Sequence, residues 1–137
     1  MTPVSITSHT IVKNEEKFIK YALLSVMDKV DKMLVWDTGS TDKTIARIKS
    51  IKNSKIEFRQ CGQVDREKIV RLRNEQLKLT KTPWFLVLDG DEIWPKANLL
   101  KLIRAMSQAE DKIIALVNKS RNCIGDIYHY LPEDKGR

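Results

Sequence analysis

No stretch of 18 or more apolar residues occurs in this 137-residue chain, so no segment has the length that a membrane-spanning helix needs. Its first residues, Met1-Thr2-Pro3-Val4-Ser5, lack the basic and apolar regions of a secretory leader, and a cytoplasmic protein is expected. Cysteine is scarce. Cys61 and Cys123 stand far apart with no CxxC partner and no His cluster, so two reduced thiols are expected. Glycine and proline number only five and four, and no Pro, Gly or Ser-rich linker, repeat or low-complexity tract divides the chain. One domain over residues 1–137 follows, long enough to bury roughly two-thirds of its unfolded surface.

Two further absences remove function classes. No GxxxxGK[ST] occurs, and Gly39-Ser40-Thr41-Asp42-Lys43-Thr44 has a single Gly, which excludes a P-loop. An EF-hand counted from Asp89 would need a bidentate Glu at its twelfth position, where Leu100 stands.

Charge is unevenly placed. The net charge is +7, yet twelve Lys or Arg face only four acids between Lys43 and Lys81. That excess suits a solvated basic face, a phosphorylated substrate or the headgroups of an anionic membrane. Nucleic acid is not expected, because the segment has no interleaved aromatics and no recognisable binding module.

Hydrophobic content of 42% with 31% charged residues is ordinary for a globular protein, and apolar periodicity orders the elements. Val4 to Val12 reads as a strand. Glu15 to Met27 reads as a helix with Asn14 as N-cap and Phe18, Ile19, Ala22, Leu23 and Val26 on one face. Met33 to Trp36 reads as a strand, followed by a turn at Asp37 to Ser40 and a helix capped by Ser40 or Thr41. Ile56 to Arg59, Trp84 to Leu88 and Ile113 to Val117 read as strands, and Asp65 to Leu79 and Lys96 to Ser107 as helices. Ile124, Ile127, Tyr128, His129 and Tyr130 offer one more strand, ended by Pro132. Such alternation predicts an α/β fold with a mainly parallel sheet flanked by helices, and ligands bind such sheets beyond the carboxyl ends of the strands.

That is where the acids fall. Trp84-Phe85-Leu86-Val87-Leu88 runs straight into Asp89-Gly90-Asp91-Glu92, and Met33-Leu34-Val35-Trp36 into Asp37-Thr38-Gly39-Ser40-Thr41-Asp42. A buried strand has no packing reason to end in clustered carboxylates. Their mutual repulsion calls for a cation or a ligand's donors between them, and a hard divalent metal is the natural cation.

Taken in order, Lys13-Asn14-Glu15-Glu16, Val35 to Thr44 (VWDTGSTDKT), Arg71-Leu72-Arg73-Asn74 and Trp84 to Glu92 (WFLVLDGDE) resemble the motifs of GT-A-fold glycosyltransferases of family 2, of the bacterial cell-surface glycan or lipopolysaccharide type. The resemblance covers about residues 6 to 95 and implies a Rossmann-like GT-A nucleotide-sugar-binding fold. It implies an inverting transfer from a nucleotide-diphosphate donor, in that family most often a UDP-sugar, to an acceptor hydroxyl on a glycan, a lipid-linked molecule or a peptide. A non-catalytic or truncated nucleotide-sugar-binding module is the alternative; a sugar nucleotidyltransferase would need a Gly-rich N-terminal phosphate loop that is absent.

The resemblance also implies roles. Asp37 would accept the uracil imide N–H, and the backbone at Thr10, Ile11 and Val12 would hold the base. Asn14, Glu15, Gly39, Ser40 and Gly90 would line the nucleotide sugar. Arg73 would face the diphosphate, Asp89 the ribose or donor sugar, and Asp91 would bind Mg²⁺ or Mn²⁺ with Glu92 as an outer ligand. The general base is expected downstream, in an acceptor-binding part that this sequence does not reach. Glu133 and Asp134 are the candidates within it, with a solvated turn as the alternative, as also for Asp126 and His129.

Overall fold

A computed structural model describes residues 3–126 and 128–131. Four strands, β1 (Ile6–Val12), β2 (Lys32–Asp37), β3 (Ile56–Gln60) and β4 (Trp84–Val87), alternate with four helices, α1 (Ile19–Val26), α2 (Thr44–Lys49), α3 (Arg66–Leu79) and α4 (Lys96–Ser107). The sheet runs β3-β2-β1-β4 and every pairing is parallel. The α/β expectation therefore holds, and the chain order reverses direction at β1, which opens a crevice beside its carboxyl end.

Apolar residues two apart place the core. Ile6 and Val12 of β1, Met33 and Val35 of β2, and Leu86 and Leu88 pack with Ile19, Leu23 and Val26 of α1, Ile48 of α2, and Leu99 and Met106 of α4. The opposite face meets α3, which buries Leu72 and Gln76. Gln76 Nε2 donates to the carbonyls of Thr10 (3.1 Å) and Leu34 (3.2 Å), so a polar residue in an apolar stripe ties the helix to the two central strands.

Several boundaries differ from expectation for physical reasons. Asn14 does not cap a helix from Glu15: its φ is +54°, and α1 begins at Ile19 after a turn closed by Phe18 N–H and Ile19 N–H donating to the Glu15 carbonyl. Neither Ser40 nor Thr41 caps α2; Asp42 Oδ1 accepts from Thr44 N (2.9 Å) and from Thr44 Oγ1 (2.6 Å). Asp65 does cap α3, accepting from Lys68 N at 2.7 Å. The strand expected at Ile113 to Val117 is absent. Those residues meet no strand, and Ile114 and Val117 are 97% and 95% exposed. In the tail, Cys123 and Tyr130 form an isolated antiparallel bridge, and Asp126 accepts from the N–H groups of Tyr128 and His129; Ile127 of the strand expected there lies outside the described residues. Among the described residues, no helix is long and apolar enough to cross a membrane.

Candidate functional site

At the end of β2, Asp37 is buried, with 1% of its surface exposed. Its Oδ1 accepts from Gly39 N and Ser40 N, both at 3.0 Å, and so builds the turn that carries the chain out of the sheet. Gly39, at φ +88°, supplies a left-handed conformation that a side chain would resist. Asp37 Oδ2 is buried with no hydrogen-bond partner. A buried carboxylate oxygen left unpaired is costly, and its natural complement is a donor brought by a ligand.

Segments 14–16 and 40–44 lock together beside it. Asn14 N donates to Ser40 Oγ (2.9 Å) and Asn14 Oδ1 accepts from Thr41 N (2.8 Å). Glu15 N donates to Thr44 Oγ1 (2.8 Å) and Glu16 N to Asp42 Oδ2 (3.1 Å), while Lys43 N donates to Glu16 Oε2 (2.8 Å). Burial works against the Asp42 charge, yet the Thr44 hydroxyl and the surrounding N–H groups hold its carboxyl below the usual range. The polar groups of Asn14 and Ser40 are thus engaged in joining two loops that the sequence separates by more than twenty residues. Of the β1 end, Val12 O accepts from Thr38 N and Thr38 Oγ1, Thr10 is buried, and Ile11 is half-buried.

The third wall is the turn after β4. Leu88 N donates to His9 O, and Glu92 N bonds Asp89 O (3.1 Å) while Asp89 N donates to Glu92 Oε2 (3.2 Å). Gly90 lies so near β1 that an added Cβ would meet Val12 Cγ2 at 2.8 Å and Glu15 Cγ at 3.0 Å. This approach brings Asp91 beside Glu15, whose carboxyl is raised by burial and then by the charges of Asp91 and Asp42. From α3, Arg73 Nη2 reaches Asp89 Oδ1 at 3.4 Å, and its Nη1 is buried without a partner.

The structure thus gathers Asp37, Arg73, Asp89, Gly90 and Asp91 at one end of the sheet. Glu133 and Asp134 lie outside the described residues. Asp126 and His129 form an exposed pair (2.8 Å) within the tail turn.

One buried polar residue near the site was not marked by any sequence motif. His9, buried in β1, stacks on Phe85 at 4.8 Å and meets Thr80 Oγ1 at 2.6 Å. Thr80 Oγ1 donates to Gln76 O (2.9 Å), so the His9 Nε2 carries the hydrogen of the shared bond. Burial, and then the nearby Arg73 charge, lower its pKa from 6.5 to about 4.

The family model for glycosyl transferase family 2 matches residues 9–134, a span that holds every residue of the site. A TPR repeat-containing protein of Synechococcus elongatus is 34% identical over 82 residues, covering 60% of this chain and 19% of that protein. The SPbeta prophage-derived glycosyltransferase SunS of Bacillus subtilis is 30% identical over 101 residues, covering 73% of this chain and 23% of that protein; SunS of Bacillus phage SPbeta gives the same figures. The chain spans about a fifth of the length of these curated relatives. With the family match extending over nearly the whole chain, and with the acidic turns set at the carboxyl ends of a parallel sheet, this protein belongs to glycosyltransferase family 2.

Proposed function

We propose that this domain binds a nucleoside diphosphate sugar, most simply a UDP-sugar, and takes part in an inverting transfer of that sugar to an acceptor hydroxyl. The observation that carries the reading is Asp37: one carboxylate oxygen builds the turn and the other is buried without a partner. The uracil imide N–H is a donor of the right kind for that oxygen, and the end of β1 at Thr10, Ile11 and Val12 forms the wall beside the base.

Beyond the base, Arg73 offers the diphosphate a cation that Asp89 meets only at 3.4 Å and on one nitrogen, and Asp89 lies where it can take a ribose or sugar hydroxyl. Gly90 lets the acidic turn approach β1, while Asn14, Glu15, Gly39 and Ser40 set the shape of the pocket through their backbone. Asp91 is the residue that would hold Mg²⁺ or Mn²⁺, with Glu92 behind it. It is exposed, with no hydrogen bond or ion pair among the described residues. Among the described residues, no three His, Cys, Asp or Glu converge into an all-protein cage, and a single carboxylate suits a hard cation completed by substrate phosphates and water. Such an ion, when bound, neutralises the charge that grows on the departing nucleoside diphosphate.

The acceptor in this reading is a glycan, a lipid-linked molecule or a peptide, met in the cytoplasm or at the inner face of the membrane, with the cations of residues 43–81 towards anionic lipid. A thermal-shift comparison tests the donor site. UDP with Mn²⁺ is expected to stabilise the protein more than UDP with a chelator, the total stabilisation over the ligand-free protein reaching about 2.7 kcal/mol at one hundred times the dissociation constant, and Asp91→Asn is expected to abolish the Mn²⁺ increment. An undiminished increment in that variant would remove Asp91 from the metal role.

A further inference from the structure

We infer that the outer face of α1, with Arg47 of α2, is a docking surface for an anionic lipid bilayer. The inference rests on the membrane-peripheral part of the reading above and moves the contact from the charge-rich segment as a whole to one defined face.

Several cations of the central segment are engaged within the protein, Lys55 and Lys68 by backbone carbonyls and three arginines by acids. Arg59 pairs with Glu75, Arg71 with Glu67 and Arg73 with Asp89, and outside the segment Lys32 pairs with Glu57. The α1 face differs. Lys17, Lys20, Tyr21 and Arg47, together with Glu16, line a surface cavity of about 150 Å³, and Lys17, Lys20 and Arg47 make no ion pair among the described residues. The one acid in the lining is committed, because Glu16 Oε2 accepts from Lys43 N. An uncompensated cluster of two ammonium groups and a guanidinium around a cavity is a site for a phosphate-bearing headgroup.

Apolar side chains surround it. Ile19, Ala22, Leu23 and Val26 turn inward, which leaves Phe18, Tyr21 and Leu24 outward at 46%, 62% and 47% exposure. Lys20 and Leu24 stand four residues apart and Tyr21 and Leu24 three, side by side on the helix, with Lys17, four residues before Tyr21, in the turn that precedes α1. A polar-faced helix would give Ser, Glu or Gln at these positions. Aromatic and aliphatic groups interleaved with lysines are instead the composition of a helix that lies in a membrane interface, with rings at headgroup depth and cations at the phosphates. A soluble phosphate would meet the cations alone, whereas an anionic bilayer would meet the cations and the adjoining Phe18, Tyr21 and Leu24 together, so the bilayer is the occupant to which the whole face conforms.

Vesicle sedimentation with the 137-residue chain tests the proposal. Binding is expected to vesicles of phosphatidylcholine with phosphatidylglycerol, not to phosphatidylcholine alone, and to weaken as salt is raised. The variant K17Q/K20Q/R47Q is expected to lose tenfold or more of that affinity, at about the scale of one lysine or arginine near a charged surface for each substitution. Y21S/L24S is expected to weaken binding even at low salt, and K52Q/K78Q/K81Q to retain it. Absence of wild-type binding to the anionic vesicles overturns the proposal, as does wild-type affinity in K17Q/K20Q/R47Q with an unchanged melting curve. Protection by inorganic phosphate without vesicle binding also overturns it, in favour of a soluble anion. UDP titrations on the same samples keep the two readings apart: UDP binding that fails while vesicles still bind would count against the donor site alone.

Discussion

Gly90 and Val12 approach so closely that a methyl group on Gly90 would stand 2.8 Å from Val12 Cγ2. Val12 is β-branched and held in a central strand, so it has little freedom to swing aside. Gly90→Ala is therefore expected to cost about 1–3 kcal/mol through overpacking and to weaken nucleotide binding by displacing Asp89 and Asp91. Urea unfolding and UDP titration of the variant check this. Wild-type values in both would show that the two strands' ends can part without consequence.

Thr44 is the centre of the lock between the two loops. Its buried hydroxyl accepts from Glu15 N and donates to Asp42 Oδ1. Thr44→Val keeps the shape and strands both partners, so a loss of about 1–3 kcal/mol is expected, with Thr44→Ser retaining most of the stability. The urea midpoints of the two variants should differ clearly; coincident midpoints would mean that the hydroxyl contributes nothing.

His9 makes stability depend on acid. Its folded pKa of about 4 lies below the ordinary 6.5, so above pH 6.5 the ring is neutral in both states and costs nothing. Between pH 6.5 and 4 the unfolded chain takes up a proton that the folded protein refuses, and stability falls, by about 3 kcal/mol in all. Unfolding free energies at pH 7, 5.5 and 4.5 should show the decline, and His9→Gln should reduce it. An equal decline in the variant would assign the effect to other groups.

The sequence was legible where local pattern and tertiary role agreed. The apolar run at Trp84 ended in acids because β4 delivers them to the crevice, and the helix at Lys96 to Ser107 was found with its observed bounds. Asn14 misled because its capping chemistry serves another loop: Oδ1 accepts from Thr41 N, a partner 27 residues away, which no local rule reveals. Ile113 to Val117 misled because β propensity is only a fitness for a half-buried surface, and here Leu116 packs on the core while Ile114 and Val117 stay exposed with no neighbouring strand to pair with. His9 gave no motif at all. It is marked only by what surrounds it, namely Phe85, Thr80 and Arg73, residues distant in sequence and brought together by the pairing of β1 with β4 and the packing of α3.

The most direct test of the donor site is a calorimetric titration of UDP and of pyrophosphate into the wild type and Asp37→Asn. The amide can keep the oxygen that accepts from Gly39 N and Ser40 N while the buried, unpartnered Oδ2 becomes a donor. Weakening of UDP by about 1–3 kcal/mol with pyrophosphate unchanged is the predicted result. Equal losses for both ligands, or an unaltered UDP affinity, would contradict the assignment of Asp37 to the base.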